Sequence, residues 1–427
     1  MKVAIYTLGC KVNTYESEYI MDQLISKGYE LVPFNEYADV YIINTCTVTN
    51  VSDSKSMKSI RQAINRNREA IIVVMGCLSQ YRFTELKENK NIDILIGNKD
   101  KSKIVDYLEA YIKTKEKQYK IYNLTKEQFE SMEITNFHNR TRAFVKIQDG
   151  CNNYCSYCII AYVRGSIRSK PKEAVLREIA NLVDNGYQEV VLTGIHTGSY
   201  GQDLKNYSFE ELLADIIKIP NLKRLRISSI EITELTPNIL TLLAKSDIIV
   251  DHLHIPLQAG CNKILKLMNR KYDTEYFLKK INQIRNIRPN ISITTDVIVG
   301  FPGETEADFI ETYNFIKQVN FAKLHVFPYS KRDNTKAAEM PNQIKEVIKK
   351  ERVQKLLKLS KELELNYMNK FIGKDLEVLF ETNKKDYSIG HTSNYLLVKL
   401  DNTKFKSGDL VTVKLDKINY PYINGSL

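Results

Sequence analysis

Between residues 3 and 75 the chain alternates short, unbroken apolar runs with stretches of helical spacing. Residues 3–8 form one such run and end in Gly9-Cys10; residues 40–43 lead into Asn44-Thr45-Cys46; residues 70–75 lead into Gly76-Cys77. The intervening stretches 16–26 and 55–67 repeat apolar positions at helical intervals. Runs that are apolar at every position, separated by helices, predict a parallel, doubly wound sheet buried on both faces. In such sheets ligands gather in the crevice beyond the carboxyl ends of the strands. Cys10, Cys46 and Cys77 each terminate a strand, so they are expected to meet in space although they lie far apart in the chain.

Residues 98–141 are charged and poorly patterned, with a helix predicted over 103–119. Strand-like runs then resume at 143–148, 189–193, 224–228, 252–257, 291–299 and 323–327, with helical segments at 172–184, 209–219, 237–245, 275–287 and 307–319. Six strands alternating with helices predict a partial (β/α)6 barrel, with its chemistry at the carboxyl ends of the strands. Residues 342–370 contain no Pro or Gly and are rich in Lys. They read as a solvated basic helix capping the barrel, with a phosphate-contacting face as the alternative. Beyond Gly373 the pattern changes to short strands, 376–381, 395–399 and 410–414, as in a small β-barrel. The fold class is therefore α/β, organised as an N-terminal sheet domain (1–100), a linker (101–136), a central barrel with its following helix (137–367) and a terminal β-barrel (368–427).

Charge adds a partner to this picture. The 427 residues carry 62 Lys+Arg against 51 Asp+Glu, a net charge of +11, which suits a polyanionic partner such as nucleic acid. The segment 375–427 holds seven Lys and seven Asp+Glu, so the basic excess lies elsewhere. If that module touches RNA, stacking by Tyr387, Tyr395 or Tyr422 must contribute more than bulk charge. The first residues are too short and polar a run for a signal peptide, and no segment is long and apolar enough to span a membrane. Seven irregularly spaced cysteines suit metal binding in a reducing compartment, and the expected location is the cytoplasm.

The densest chemistry is the run Gly150-Cys151-Asn152-Asn153-Tyr154-Cys155-Ser156-Tyr157-Cys158, directly after the first barrel strand. Three thiolates from one short loop can hold three irons of a [4Fe-4S] cube and leave the fourth iron open to a ligand. A closed zinc site would need a fourth ligand, and no cysteine or histidine follows closely. A metal-free core is a poor fit to three cysteines set among Gly150, Asn152 and Asn153. Cys10, Cys46 and Cys77 read most economically as a second [4Fe-4S] site of the same kind, with Asn44 and Thr45 as candidates for bonding its sulfurs. Cys261 stands apart from both triplets and reads as a non-ligand thiol. His252 and His254, on an otherwise apolar strand, read as core histidines.

The second triplet resembles the radical S-adenosylmethionine (SAM) signature. The whole chain resembles the methylthiotransferases of that superfamily, which join an N-terminal cluster domain, a radical SAM barrel and a C-terminal RNA-binding TRAM domain. The resemblance rests on Leu8-Gly9-Cys10-Lys11-Val12-Asn13, Asn44-Thr45-Cys46-Thr47-Val48-Thr49, Gly76-Cys77, residues 150–158 and Gly165. The Lys11-Val12-Asn13 and Thr47-Val48-Thr49 continuations are most similar to the branch acting on N6-threonylcarbamoyladenosine in tRNA. Ala161 departs from the proline many relatives carry, which should affect loop stiffness only. By this resemblance the cofactors are two [4Fe-4S] clusters and SAM. The SAM contacts implied are Tyr157, packing by adenine, with Thr193, Gly194, Ser228, Glu231 and Gln258 after successive barrel strands.

The activity implied is methylthiolation at C2 of the modified adenosine next to the tRNA anticodon, with two SAM molecules consumed. A purine C–H is neither acidic nor electrophilic enough for side-chain acid–base catalysis, so attack by a 5'-deoxyadenosyl radical is a credible route. The implied partners are the tRNA anticodon stem-loop, whose unpaired base leaves its stack at low cost, an electron donor and a sulfur source. The alternatives are the same chemistry on isopentenyladenosine tRNA or a ribosomal-protein aspartate, and an RNA-binding iron–sulfur sensor without catalysis.

Overall fold

The computed structural model describes every residue except 139, 385 and 402–404. Its N-terminal part is a six-stranded, all-parallel sheet in the order Glu30–Leu31, Lys2–Thr7, Val40–Thr45, Ile71–Gly76, Ile94–Ile96, Gln118–Lys120. The two central strands are buried at every position, which is why they read as continuous apolar runs. Their register pairs Thr7 with Asn44 and Thr45 with Gly76, so the residues that follow leave the sheet at one edge. The first helix spans Lys11–Ser26, starting five residues before the apolar spacing suggests. Its first turns bury Asn13, Glu16, Ser17 and Glu18 alongside Val12 and Tyr15. The second helix, Asn50–Arg66, is N-capped by the Thr49 hydroxyl, which accepts from Ser52 N at 3.2 Å. The segment 101–136, expected to be a linker, contributes the helix Ile104–Thr114 and the edge strand Gln118–Lys120. A three-residue polar edge strand has no apolar run to announce it.

The central part lays six parallel strands in chain order: Ala143–Lys146, Glu189–Thr193, Arg224–Ile227, His252–His254, Ser292–Val299 and Lys323–Pro328. Between the third and fourth strands, among the described residues, pairing thins to the bridge Leu225–Ile249. Five helices, Lys172–Asp184, Phe209–Ile216, Pro237–Lys245, Thr274–Ile287 and Glu306–Val319, cover the outside and close the main hydrophobic core. The helix Glu346–Asn369 follows and packs along the last strand. It is not wholly solvated: Lys349 and Arg352 are buried, and Arg352 Nη1 meets Glu304 Oε2 at 2.6 Å.

The chain ends in a closed five-stranded barrel made of Asp375–Asn383, Tyr387–Thr392, Leu397–Asp401, Tyr422–Ser426 and Leu410–Asn419 in spatial order. Two of these strands, Tyr387–Thr392 and Tyr422–Ser426, carry little apolar alternation and were not expected. Gly390 permits the first of them, because a Cβ there would overlap the Leu379 carbonyl of the neighbouring strand.

Candidate active site between two cysteine triplets

The N-terminal cysteines converge as the strand ends dictate. Gly9 has φ +108°, and a Cβ on it would lie 3.2 Å from Cys46 Sγ, so only glycine lets the Cys10 loop approach Cys46 this closely. Asn13 ties these loops together, its Nδ2 donating to Leu8 O at 2.7 Å and Thr45 O at 3.1 Å. Thr45 extends the tie to the third loop, donating through Oγ1 to Met75 O at 2.6 Å and accepting from Leu78 N. Asn44 donates to Asn13 O at 3.0 Å. Asn44 and Thr45 therefore shape the loops, and the side chains that reach a sulfur are others. Asn98 Nδ2 lies 3.5 Å and Arg164 Nε 3.3 Å from Cys77 Sγ.

The second triplet is shaped by its own loop. Gly150, at φ +76°, is pressed against the Ser166 carbonyl so closely that a Cβ would overlap it. Cys151 N donates to Gly165 O at 3.0 Å, and Cys158 N to Cys155 O at 3.0 Å. Arg270 Nη1 donates to Cys155 Sγ at 3.2 Å, and its Nη2 pairs with Glu231. His196 Nδ1 stands 3.9 Å from Cys151 Sγ, with its Nε2 2.7 Å from Glu234 Oε1. Burial works against a charged imidazole, but the bonds to Cys151 and Glu234 outweigh it and lift the His196 pKa to about 10. Cys155, His196, Glu231, Glu234, Arg270 and Tyr272 line one cavity beside the triplet.

The two triplets are neighbours. Cys77 packs against Ile159, the residue after Cys158, and against Val163 on the short helix Ile160–Arg164. That helix ends at Arg164, which is fully buried. Besides Cys77, Arg164 reaches Glu16 Oε1 at 2.9 Å, Asp149 Oδ2 at 3.1 Å and Asn13 Oδ1 at 2.6 Å. Lys101 and Lys146 complete this buried network at 2.5 Å and 3.0 Å from Glu16. Burial opposes ionisation of Glu16, yet Arg164, Lys101 and Lys146 hold its carboxyl well below the usual carboxylate range. The seam between sheet and barrel is thus ionic beside Cys77.

The thiols fit a polynuclear group better than a single ion. Four-coordinate zinc with Zn–S near 2.3 Å would draw its sulfurs to about 3.8 Å apart. Among the described residues the only three candidate ligands whose atoms all lie within 4.8 Å of one another are Cys261, Asp308 and Glu311, outside both triplets. Each triplet therefore spreads its sulfurs wider than a mononuclear site requires. Burial pushes the Cys46 thiol up to about 11 and the Cys158 thiol up to about 12, so a metal would have to displace their protons on binding.

Of the expected SAM contacts, Glu231 lines the cavity and Tyr157 lies near Arg270 and Cys155. Thr193, Gly194, Ser228 and Gln258 stand at the carboxyl ends of their strands, outside the cavity lining. Ser228 Oγ meets Thr197 Oγ1 at 3.3 Å, and Gln258 holds φ +66°. His252 is buried and His254 half-buried on the fourth strand: both bond Thr294 Oγ1, at 3.2 and 2.9 Å, and His254 Nε2 lies 3.3 Å from Asp296. Cys261 is buried, 3.5 Å from Asp308 Oδ1. Sequence reasoning missed Arg164, His196, Arg270 and Asn98 as partners of the cysteines. His196, two residues after Gly194 at the end of the second barrel strand, carried the one usable signal.

Comparison with known proteins agrees with this architecture. Residues 145–316 match the Radical SAM superfamily, and residues 2–97 match Uncharacterized protein family UPF0004. The threonylcarbamoyladenosine tRNA methylthiotransferase MtaB of Bacillus subtilis (strain 168) is 45% identical, over 99% of this chain and 95% of its own. The protein of the same name from Aquifex aeolicus (strain VF5) is 40% identical, over 97% of this chain and all of its own. The tRNA-2-methylthio-N(6)-dimethylallyladenosine synthase of Carboxydothermus hydrogenoformans is 37% identical, over 99% and 98% of the two chains. Among solved structures, the radical S-adenosylmethionine methyltransferase TsrM from Kitasatospora setae shares the fold, with a TM-score of 0.59 at 15% identity over 79% of this chain and 76% of that one. With a radical SAM barrel, an N-terminal sheet gathering three further cysteines, and relatives alike over nearly the full length, the chain belongs to the tRNA methylthiotransferase family of radical SAM enzymes, on its threonylcarbamoyladenosine branch.

Proposed function

We propose that this protein adds a methylthio group to C2 of N6-threonylcarbamoyladenosine next to the tRNA anticodon, giving 2-methylthio-N6-threonylcarbamoyladenosine. The observation that carries the reading is the packing of Cys77, from the first triplet, against Ile159, the residue after Cys158, and against Val163. In this reading Cys151, Cys155 and Cys158 hold the SAM-binding [4Fe-4S] cluster, and Cys10, Cys46 and Cys77 hold an auxiliary one. When bound, the two clusters supply an open iron for SAM and a sulfur site for transfer.

The chain's own residues do the rest. Arg270 fixes Cys155 and Glu231 in one geometry, and protonated His196 sets a positive charge beside Cys151. Arg164 sets another beside Cys77. These side chains set positive charge beside sulfurs that would bind a metal as anions. Tyr157, Thr193, Gly194, Ser228, Glu231 and Gln258 would hold SAM, Glu231 from within the cavity. The sheet of residues 1–100, the barrel of 137–367 and a TRAM-like RNA-binding barrel in 368–427 divide the work, with an external electron donor and sulfur source. No helix among the described residues is long and apolar enough to cross a membrane, which accords with work on tRNA in the cytoplasm.

The test is complementation of a deletion strain with nucleoside mass spectrometry of its tRNA. The wild-type gene should restore 2-methylthio-N6-threonylcarbamoyladenosine. The combined Cys10→Ala, Cys46→Ala and Cys77→Ala variant should restore none, while its anaerobically reconstituted protein holds about four irons in place of about eight. Loss and recovery of the isopentenyladenosine derivative instead would assign the substrate of the other tRNA branch.

A further inference from the structure

The buried seam beside Cys77 holds more positive charge than it can pair. Arg164, Lys101, Lys146 and Arg168 bring four cations, and Glu16 and Asp149 bring two carboxylates. Lys146 joins both acids, at 3.0 Å from Glu16 and 2.7 Å from Asp149, and Arg164 joins both at 2.9 and 3.1 Å. Lys101 pairs with Glu16 at 2.5 Å, and Arg168 lies 3.7 Å from Asp149. All six side chains are buried. Among the described residues no further carboxylate pairs with any of the four cations, which leaves an excess of two positive charges out of water. Uncompensated charge at such depth is costly, and a neighbouring anion removes the cost.

The excess is aimed at one sulfur. Arg164 donates through Nε to Cys77 Sγ at 3.3 Å, and Asn98 Nδ2 stands 3.5 Å from the same atom. Asn98 is itself fixed by donating to Val163 O at 2.8 Å, on the helix that ends at Arg164. A doubly positive [4Fe-4S] core held by three thiolates is singly negative, and doubly negative after taking one electron. The seam therefore has the sign that a cluster on Cys10, Cys46 and Cys77 answers. Its unpaired charge favours the reduced form, which carries the extra negative charge.

Sulfur transfer gives that preference a use. The hydrogen of the target carbon leaves with the deoxyadenosyl group, and a carbon radical remains. When that carbon takes a methylthio group from iron, the new C–S bond uses one electron from carbon and one from the breaking Fe–S bond. The second electron of the broken bond stays with the iron. We infer that Arg164, Lys101 and Lys146, acting through Cys77, are positioning residues that raise the reduction potential of the N-terminal cluster, so that it accepts the electron left by carbon–sulfur bond formation. This rests on the reading that Cys10, Cys46 and Cys77 hold a cluster, and adds to it the residues that tune that cluster.

The test uses the full-length chain carrying Cys151→Ala, Cys155→Ala and Cys158→Ala, loaded anaerobically so that the N-terminal cluster is the one present, and redox titration followed by electron paramagnetic resonance. Arg164→Gln and Lys146→Gln, each in that background, should lower the ratio of reduced to oxidised cluster at a fixed potential at least ten-fold, which is about 59 mV for one electron. Arg164→Lys keeps the charge and should retain most of the starting value. A merely structural role would lower thermal stability and leave the potential in place. A second measurement needs no substitution at the seam: with arginine enriched in the heavy nitrogen isotope, the reduced cluster should show hyperfine coupling to an arginine nitrogen. Potentials unchanged in both glutamine variants, or no arginine coupling, overturn the inference. Folded protein that retains no iron overturns the cluster reading itself, a distinct result.

Discussion

Arg164 shows how one side chain joins two sites. Its guanidinium is fully buried and divides its donors among Cys77, Glu16, Asp149 and Asn13. Removing one partner of such a network leaves buried charge uncompensated, which costs more than the network contributed. Arg164→Ala should therefore lower stability by about 3–5 kcal/mol, measured by urea unfolding. Arg164→Lys should lie between that variant and wild type, because it keeps the charge and loses the fork. The six cysteines stand out in the sequence because each triplet has a pattern, a tight spacing in one case and repeated strand ends in the other. Arg164, Arg270 and Asn98 had none: each reaches its sulfur across a tertiary contact that neither spacing nor period encodes.

The elements were legible where burial is periodic. The helices Lys172–Asp184 and Pro237–Lys245 fall where the spacing predicts them. Periodicity fails at the start of Lys11–Ser26, where buried hydrogen bonds and ion pairs draw Asn13 and Glu16 inside, and at short strands such as Gln118–Lys120. Caps decide other boundaries. Thr305 and Asp308 form a capping box at the start of Glu306–Val319, and Lys263 pairs with Asp308 at 2.6 Å. Burial alone would raise the Asp308 pKa, but the bonds to Lys263 and Thr305 bring it down to about 2. The folded value lies below the unfolded one, near about 3.9. The stabilisation is therefore complete above that unfolded value and fades as pH falls from about 4 toward 2. Asp308→Ala should cost about 1–2 kcal/mol at neutral pH. Its deficit relative to wild type should shrink over that acid window in denaturant titrations.

At the scale of the whole molecule, sheet and barrel are clamped at a second point besides Arg164. Arg332, 2% exposed, reaches across from the loop after the last barrel strand to Thr47 Oγ1 at 2.7 Å, Asp53 Oδ2 at 2.9 Å and Asn50 Oδ1 at 2.6 Å. Asn50 N adds a bond to Ser330 Oγ at 3.0 Å. Arg332→Ala should loosen this docking, seen as faster hydrogen exchange in both Thr47–Asp53 and the 329–335 loop and as a second, earlier calorimetric transition. The three-part architecture itself was legible, because each part has its own periodicity. Its mutual docking was not, because it is carried by single long side chains. Tyr395 carries a consequence of that docking. A tyrosine from the last module stands among residues of the barrel floor, so that module cannot be a mere tether that hands over its cargo. Chimaeras that exchange it between relatives should lose the packing of Tyr395 against Arg226 and His252 unless both partners travel with it, and should then unfold in an earlier, separate calorimetric step.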